Sequence, residues 1–189
     1  MRVCLVGETS VGKTTICHNI VGINRIPSAT IGLEFYSTKY KGQKINFWDT
    51  AGQERYRALL PMYLRKAKTI IYVISALNLT KENYSYWLDY IEKNADDNYN
   101  IIIVVTKCDL AKNYKKDLVF LKEYLPNVDI VFRFNDNISN QLLEIIYQLN
   151  INPLEETNNY DNFDENDHYI SLSGGESNEN YLNNRPSCC

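Results

Sequence analysis

The sequence has no excess of positive charge: 20 Lys and Arg stand against 23 Asp and Glu, a formal net charge of -3. A nucleic-acid binder presents a basic face, so the balance argues against that class. Long apolar runs are also lacking, since IIYVIS and IIIVV fall far short of the roughly 20 residues that cross a bilayer. The run RVCLV leads straight into Gly7, without the charged and apolar regions of a secretory leader, so no leader is expected. No two of the five cysteines are spaced as CxxC. Cys4, Cys17 and Cys108 sit in apolar contexts and read as reduced thiols of a cytosolic protein, whereas Cys188 and Cys189 need their own explanation. No internal repeat is found. What is there is 189 residues, 44% hydrophobic and 23% charged, enough for one globular domain with a proper core.

Short β-branched runs alternate with longer amphipathic stretches. The pattern predicts strands over 2–6, 35–40, 44–48, 69–75, 101–106 and 129–132, and helices over 13–21, 54–66, 81–95, 114–124 and 138–149. Runs such as IIIVV do not alternate, which implies a parallel sheet covered by helices on both faces. The pair YSTKY and KINFWD, joined across Gly42, reads as a hairpin. The expected fold is therefore α/β, a six-stranded, mostly parallel sheet with one antiparallel edge strand. Residues 1–150 form the folded domain in this reading. Beyond it, 151–189 is rich in Asn, Asp, Glu, Ser and Gly, and reads as a disordered acidic tail.

Gly7-Glu8-Thr9-Ser10-Val11-Gly12-Lys13-Thr14 fits the phosphate-loop pattern G-x-x-x-x-G-K-[ST]. The glycines let successive backbone N–H groups point at phosphate oxygens, and the helix that follows adds its positive N-terminal dipole. The expected phosphate-binding residues here are Glu8, Thr9, Ser10, Val11, Gly12, Lys13, Thr14 and Thr15. Lys13 reaches the β- and γ-phosphates, and the Thr14 hydroxyl ligates Mg²⁺. A plain strand-to-helix turn is the bland alternative, but an apolar strand precedes the motif and a helical pattern follows it. The motif indicates a nucleoside triphosphate without saying which.

Two segments narrow the ligand. In Trp48-Asp49-Thr50-Ala51-Gly52-Gln53, Asp49 ends a strand where a carboxylate holds the metal through water. Gly52 offers a backbone N–H to the γ-phosphate, and Gln53 orients an attacking water as the catalytic residue. Thr106-Lys107-Cys108-Asp109 also ends a strand, on the side where α/β ligands sit. There Asp109 accepts from N1–H and the N2 amine of guanine, which adenine cannot supply, while the Lys107 stem lies along the base. Alone, TKCD is weak; its order after the phosphate loop strengthens it.

With these motifs the sequence resembles the Ras superfamily of small GTPases and, within it, the Rab family, from Arg2 to about Leu149. The Rab-like segments are IGLEF, KINFWDTAG, QERYRALL and MYLRKA. The resemblance implies a G domain that binds and hydrolyses GTP, slowly without an activating protein, and works as a switch in vesicle traffic. It makes Thr30 the switch I threonine that meets Mg²⁺ and phosphate, and Phe35, Trp48 and Tyr63 the aromatics shown to effectors. Thr106, Lys107, Asp109 and Phe134 become the guanine side. Implied partners are an exchange factor, a GTPase-activating protein, effectors, a GDP-dissociation inhibitor and prenylation machinery, around a monomer cycling between cytosol and the cytoplasmic face of an endomembrane. Arg55 and Arg57 read as solvated or structural, so the activating partner supplies the catalytic arginine.

The sequence departs from the family in four places. Thr106 stands where Rabs usually have Asn; Arg133-Phe134-Asn135 replaces the S-A-K segment; GINRIPSA before Thr30 lacks an aromatic ring; and Thr9 brings bulk near the γ-phosphate. Three of these fall on the base side and switch I, so lower affinity or faster exchange than in a typical Rab is expected. A weakly binding, non-cycling scaffold recognised through Phe35, Trp48 and Tyr63 is the alternative, and a P-loop kinase or ATPase is disfavoured because Asp109 suits guanine. The tail spans roughly 35 Å as a flexible coil. By the resemblance, Cys188 and Cys189 at its end are both geranylgeranylated, and two chains anchor stably where one holds marginally.

Overall fold

The computed structural model describes residues 1–111, 121, 128–132, 138–151 and 169–170. Among the described residues seven strands form one sheet: β1 (Arg2–Val6), β2 (Leu33–Tyr40), β3 (Gln43–Thr50), β4 (Thr69–Ser75), β5 (Asn100–Thr106), β6 (Asp129–Phe132) and β7 (Tyr169–Ile170). Their spatial order is β2-β3-β1-β4-β5-β6-β7. The helices are α1 (Lys13–Val21), α2 (Leu60–Leu64), α3 (Lys81–Asn94) and α4 (Ile138–Ile151). No helix among the described residues is long and apolar enough to cross a membrane.

The non-alternating strands sit in the middle, as their sequence requires. All seven residues of β4, TIIYVIS, are buried, and β1 lies parallel between β3 and β4. Successive side chains then feed two separate cores. Val3, Leu5, Ile71, Val73, Ile102 and Val104 pack with Ile16, Leu142 and Ile146 of α1 and α4. Cys4, Val6, Ile70, Tyr72, Ile103 and Val105 pack with Leu64, Trp87 and Ile91 of α2 and α3. Tyr72 and Trp87 stack at 6.2 Å between centroids.

The expected hairpin is present, running from Leu33↔Thr50 to Tyr40↔Gln43. Its two-residue turn places both Lys41 (φ 45°) and Gly42 (φ 78°) in the left-handed region, which matches the twist of the paired strands. A lysine there was not legible from the sequence. At the opposite edge β7 pairs antiparallel with β6, Ile130 with Ile170 and Val131 with Tyr169. The sheet thus gains a seventh strand and a second antiparallel edge beyond the six strands expected. Two residues are too few to show a period.

One expected helix is in fact two elements. Over 54–66 the chain forms a 3₁₀ helix, Glu54–Leu59, and then α2. The reason is Pro61, which has no N–H to bond the Arg57 carbonyl; that carbonyl accepts instead from Leu60 N–H and, at 2.9 Å, from the Tyr90 hydroxyl. The helix expected over 114–124 lies outside the described residues, apart from buried Leu121. So does the tail, 151–189, apart from Ile151 and β7.

Candidate functional site

The turn from β1 into α1 is built by positive φ at Gly7 (140°), Ser10 (62°) and Gly12 (101°). Gly7 is sterically obligatory, since a Cβ there would stand 2.1 Å from the Val73 carbonyl oxygen. Left-handed residues interleaved with right-handed ones turn consecutive N–H groups inward, a nest suited to anions. Lys13, the first residue of α1, is buried, and its Nζ arches back to donate to the carbonyls of Gly7 (2.9 Å) and Glu8 (2.8 Å). Burial pushes its ammonium down to about 8, opposed by the nearby Asp49 and Glu8 carboxylates. An ammonium so placed is poised for phosphate oxygens.

Beside it, Asp49, the next-to-last residue of β3, is fully buried. Its Oδ2 accepts from the Thr14 hydroxyl at 2.6 Å and the Thr30 hydroxyl at 3.3 Å, and those two hydroxyls are 2.8 Å apart. Its Oδ1 is buried with no hydrogen-bond partner among the described residues. Burial raises the carboxyl above its usual range, and the Thr14 hydroxyl and the Lys13 charge oppose that. A buried carboxylate oxygen lacking a partner, flanked by two hydroxyls, is a hard-oxygen donor set that suits Mg²⁺. The described residues hold no cluster of three His, Cys, Asp or Glu. A metal here would therefore lean on Thr14, Thr30, Asp49 and oxygens of its ligand.

The chain leaving β3 completes the site. The Ala51 N–H donates to the Gly32 carbonyl (2.9 Å), tying residues 30–32 to the strand end. Gly52 lies so near the phosphate loop that a Cβ would meet Glu8 and Thr9 backbone at 2.4 Å. Gln53 follows as the residue before the 3₁₀ helix. One groove of about 260 Å³ gathers Thr9, Ser10, Gly12, Lys13, Thr14, Thr15, Thr30, Gly52 and Gln53 of the expected set. It also includes Pro27, Ser28, Ala29 and Thr50, which the sequence reading left out.

The segment expected to meet the base is put together differently. Thr106 is buried, and its hydroxyl donates to the Val11 carbonyl at 2.6 Å, tying the end of β5 to the phosphate loop. Lys107 adopts φ 57°, and Asp109 stands exposed on the turn beyond it. Phe134 lies outside the described residues, as do Cys188 and Cys189.

Comparison with known proteins identifies the family. A family model described as Roc, the Ras of Complex domain of DAPkinase, matches residues 2–109. The human Ras-related protein Rab-22A is 33% identical over 142 residues, covering 70% of this chain and 72% of the human protein. The chain belongs to the Rab family of small GTPases. A maize GTP-binding protein, YPTM1, is 34% identical over 138 residues, 69% of this chain and 66% of the maize protein. The Caenorhabditis elegans Ras-related protein rab-11.1 is 38% identical over 116 residues, 58% of this chain and 55% of the worm protein.

On this Rab, Phe35 and Trp48 meet edge to face at 5.7 Å, with Phe35 53% exposed. Tyr63 lies on α2, half-buried against the α2–α3 core. Exposed Leu59 and Met62 precede it in sequence, which widens the apolar character of that segment. Sequence reading missed two connections. Buried His18 sits with Nε2 3.1 Å from the Tyr36 hydroxyl and Nδ1 3.3 Å from the Arg25 carbonyl, hooking α1 to the chain on either side of Thr30. Arg57 joins the phosphate loop to α3. Neither follows from local pattern, because each links residues remote in the chain.

Proposed function

We propose that the chain binds GTP with Mg²⁺, hydrolyses it to GDP and phosphate, and acts as a membrane-anchored switch in vesicle traffic. The observation that carries this is the Thr14–Asp49–Thr30 oxygen cluster set beside buried Lys13 under the turn of the phosphate loop. The loop N–H groups and Lys13 hold the β- and γ-phosphates, and Asp109 with Lys107 selects guanine. Mg²⁺, where bound, neutralises charge on the phosphates, and Thr14, Thr30 and Asp49 would hold it. Gln53 orients a water whose oxygen attacks the γ-phosphorus. The bond from that phosphorus to the bridging oxygen breaks, GDP leaves, and the water's protons pass to phosphate and solvent.

Unassisted hydrolysis of this kind runs on the order of 10⁻⁴ s⁻¹, and an arginine from an activating partner adds about 10³–10⁵-fold. GTP orders Thr30 and Gly52, effectors read the Phe35, Trp48 and Tyr63 surface, and hydrolysis releases them. Cys188 and Cys189 carry two prenyl chains that hold the switch on a membrane. The non-cycling scaffold is the competing reading. Nucleotide extracted from the purified protein and separated by chromatography tests the choice: GTP or GDP is expected, and hydrolysis by Gln53→Leu should fall well below the wild type. ATP in the extract, or a Gln53→Leu rate equal to wild type, defeats the proposal. An unmodified carboxyl-terminal peptide from a eukaryotic host defeats its membrane part.

A further inference from the structure

Glu8 lies between Gly7 and Thr9 in the phosphate loop, yet its side chain turns away from the groove. Its Oε1 accepts from the Trp87 indole N–H of α3 at 3.0 Å and from an Arg57 guanidinium N–H at 3.1 Å. Arg57 also donates to the Tyr86 hydroxyl at 2.9 Å and stacks over the Tyr86 and Trp87 rings, 5.1 and 5.4 Å from their centroids. Its main-chain carbonyl accepts from Tyr90 at 2.9 Å. Arg57 is therefore gripped through both side chain and backbone. It stands in the first turn after Gln53, where the Tyr56 N–H bonds the Gln53 carbonyl at 3.0 Å.

We infer that Glu8, Arg57 and Trp87 form a latch in which Glu8 is the positioning residue for Gln53. The loop that holds the phosphates thereby also sets the turn that aims the water. The inference rests on the GTP hydrolysis proposed above. Glu8 is 46% exposed at its side chain and Arg57 28%, so charge attraction alone is screened and weak. The latch draws its hold from the joined set: two donors on one carboxylate, a cation over two rings, and the Tyr90 hydroxyl on the backbone. Arg57 Nε is buried and has no hydrogen-bond partner among the described residues, so moving Glu8 would leave the guanidinium poorly satisfied in place. A purely structural cluster would change stability alone; a latch changes how well Gln53 is placed.

The test compares single-turnover GTP hydrolysis by the full chain with that of Glu8→Gln, Arg57→Met, Trp87→Phe and the double variant Glu8→Gln/Arg57→Met. In a Trp48→Phe background Trp87 is the remaining tryptophan, and its emission reads the latch independently of turnover. Each single variant should slow hydrolysis on the order of tenfold, as small misplacements of a reacting group do. The double variant should be no slower than its slower parent, since both changes open one latch. Emission of Trp87 should shift in Glu8→Gln and Arg57→Met. Losses that multiply in the double variant, or unchanged rates alongside a shifted emission, overturn the latch while leaving the GTPase reading intact. A wild type that fails to hydrolyse GTP at all overturns that reading, and the positioning role with it.

Discussion

The part of the site proposed for phosphate is made of main chain held in forced conformations, whereas the part proposed for the base presents Lys107 and Asp109 on a turn. At the phosphate end Gly7, Ser10 and Gly12 take positive φ, Gly7 and Gly52 leave no room for a Cβ, and Lys13 and Asp49 are buried. At the base end Asp109 is exposed and stands beyond Lys107 on the turn after β5. The contrast teaches where substitution is tolerated. A main-chain cradle accepts few replacements because its geometry is its chemistry. A side-chain contact on an exposed turn, such as that offered by Asp109, drifts with less damage to the fold.

If the phosphate end carries most of the affinity, Lys13→Ala should do the greatest harm. Removing one partner of a buried charged contact costs about 3 kcal/mol, roughly a hundredfold in affinity for GTP by titration calorimetry. Asp109→Asn comes next: losing guanine bonds to a charged acceptor should cost about 1.5–3 kcal/mol, seen as a narrowed preference for GTP over ATP. A larger loss at Asp109 than at Lys13 would reverse the comparison.

Thr106→Val tests how far the two ends are separate. It keeps the β-branched shape but leaves the buried Val11 carbonyl without the hydroxyl that reaches it at 2.6 Å. About 1–2 kcal/mol of stability should be lost, with faster nucleotide release, because the tie runs into the phosphate loop. An unchanged melting temperature and release rate would show that the ends are independent.

The smallest effect is expected away from the site. Hydrogen bonds from Lys41, first, and Tyr40 hold the Glu144 carboxyl down to about 2, from an ordinary 4.5. They pin the hairpin turn to α4, at 2.7 Å for Lys41 Nζ and Glu144 Oε1 and 2.5 Å for Tyr40. A carboxyl with a lowered folded value binds fewer protons folded than unfolded, so its contribution is present above pH 4.5 and fades as pH falls towards 2. Melting curves across that window should lose part of their slope in Glu144→Gln. An identical slope would remove the tether from the account.

Much of this was legible in the chain. G-x-x-x-x-G-K-T, the DTAGQ stretch and TKCD are short motifs whose residues act within a few positions of one another, and the groove gathers most of the first two where expected. The apolar runs announced the central strands because full burial on both faces removes alternation. Pro61 was visible too, yet the pattern around it still read as one helix. The break depended on where the Arg57 carbonyl finds its replacement donors, and one of them, Tyr90, lies on α3.

By itself the sequence determined the order of β1 to β6, the phosphate-loop motif, the hairpin turn at Gly42 and the carboxylate and hydroxyls suited to a metal. These follow from chemistry confined to a few neighbouring residues. The tertiary structure decided what Glu8, Arg57, Thr106 and His18 do. Each has a partner distant in the chain, Trp87 lying 79 residues from Glu8 and Val11 lying 95 from Thr106. A polar side chain's partner is set by which strands and helices come side by side, and that is decided only when the two cores close on the sheet.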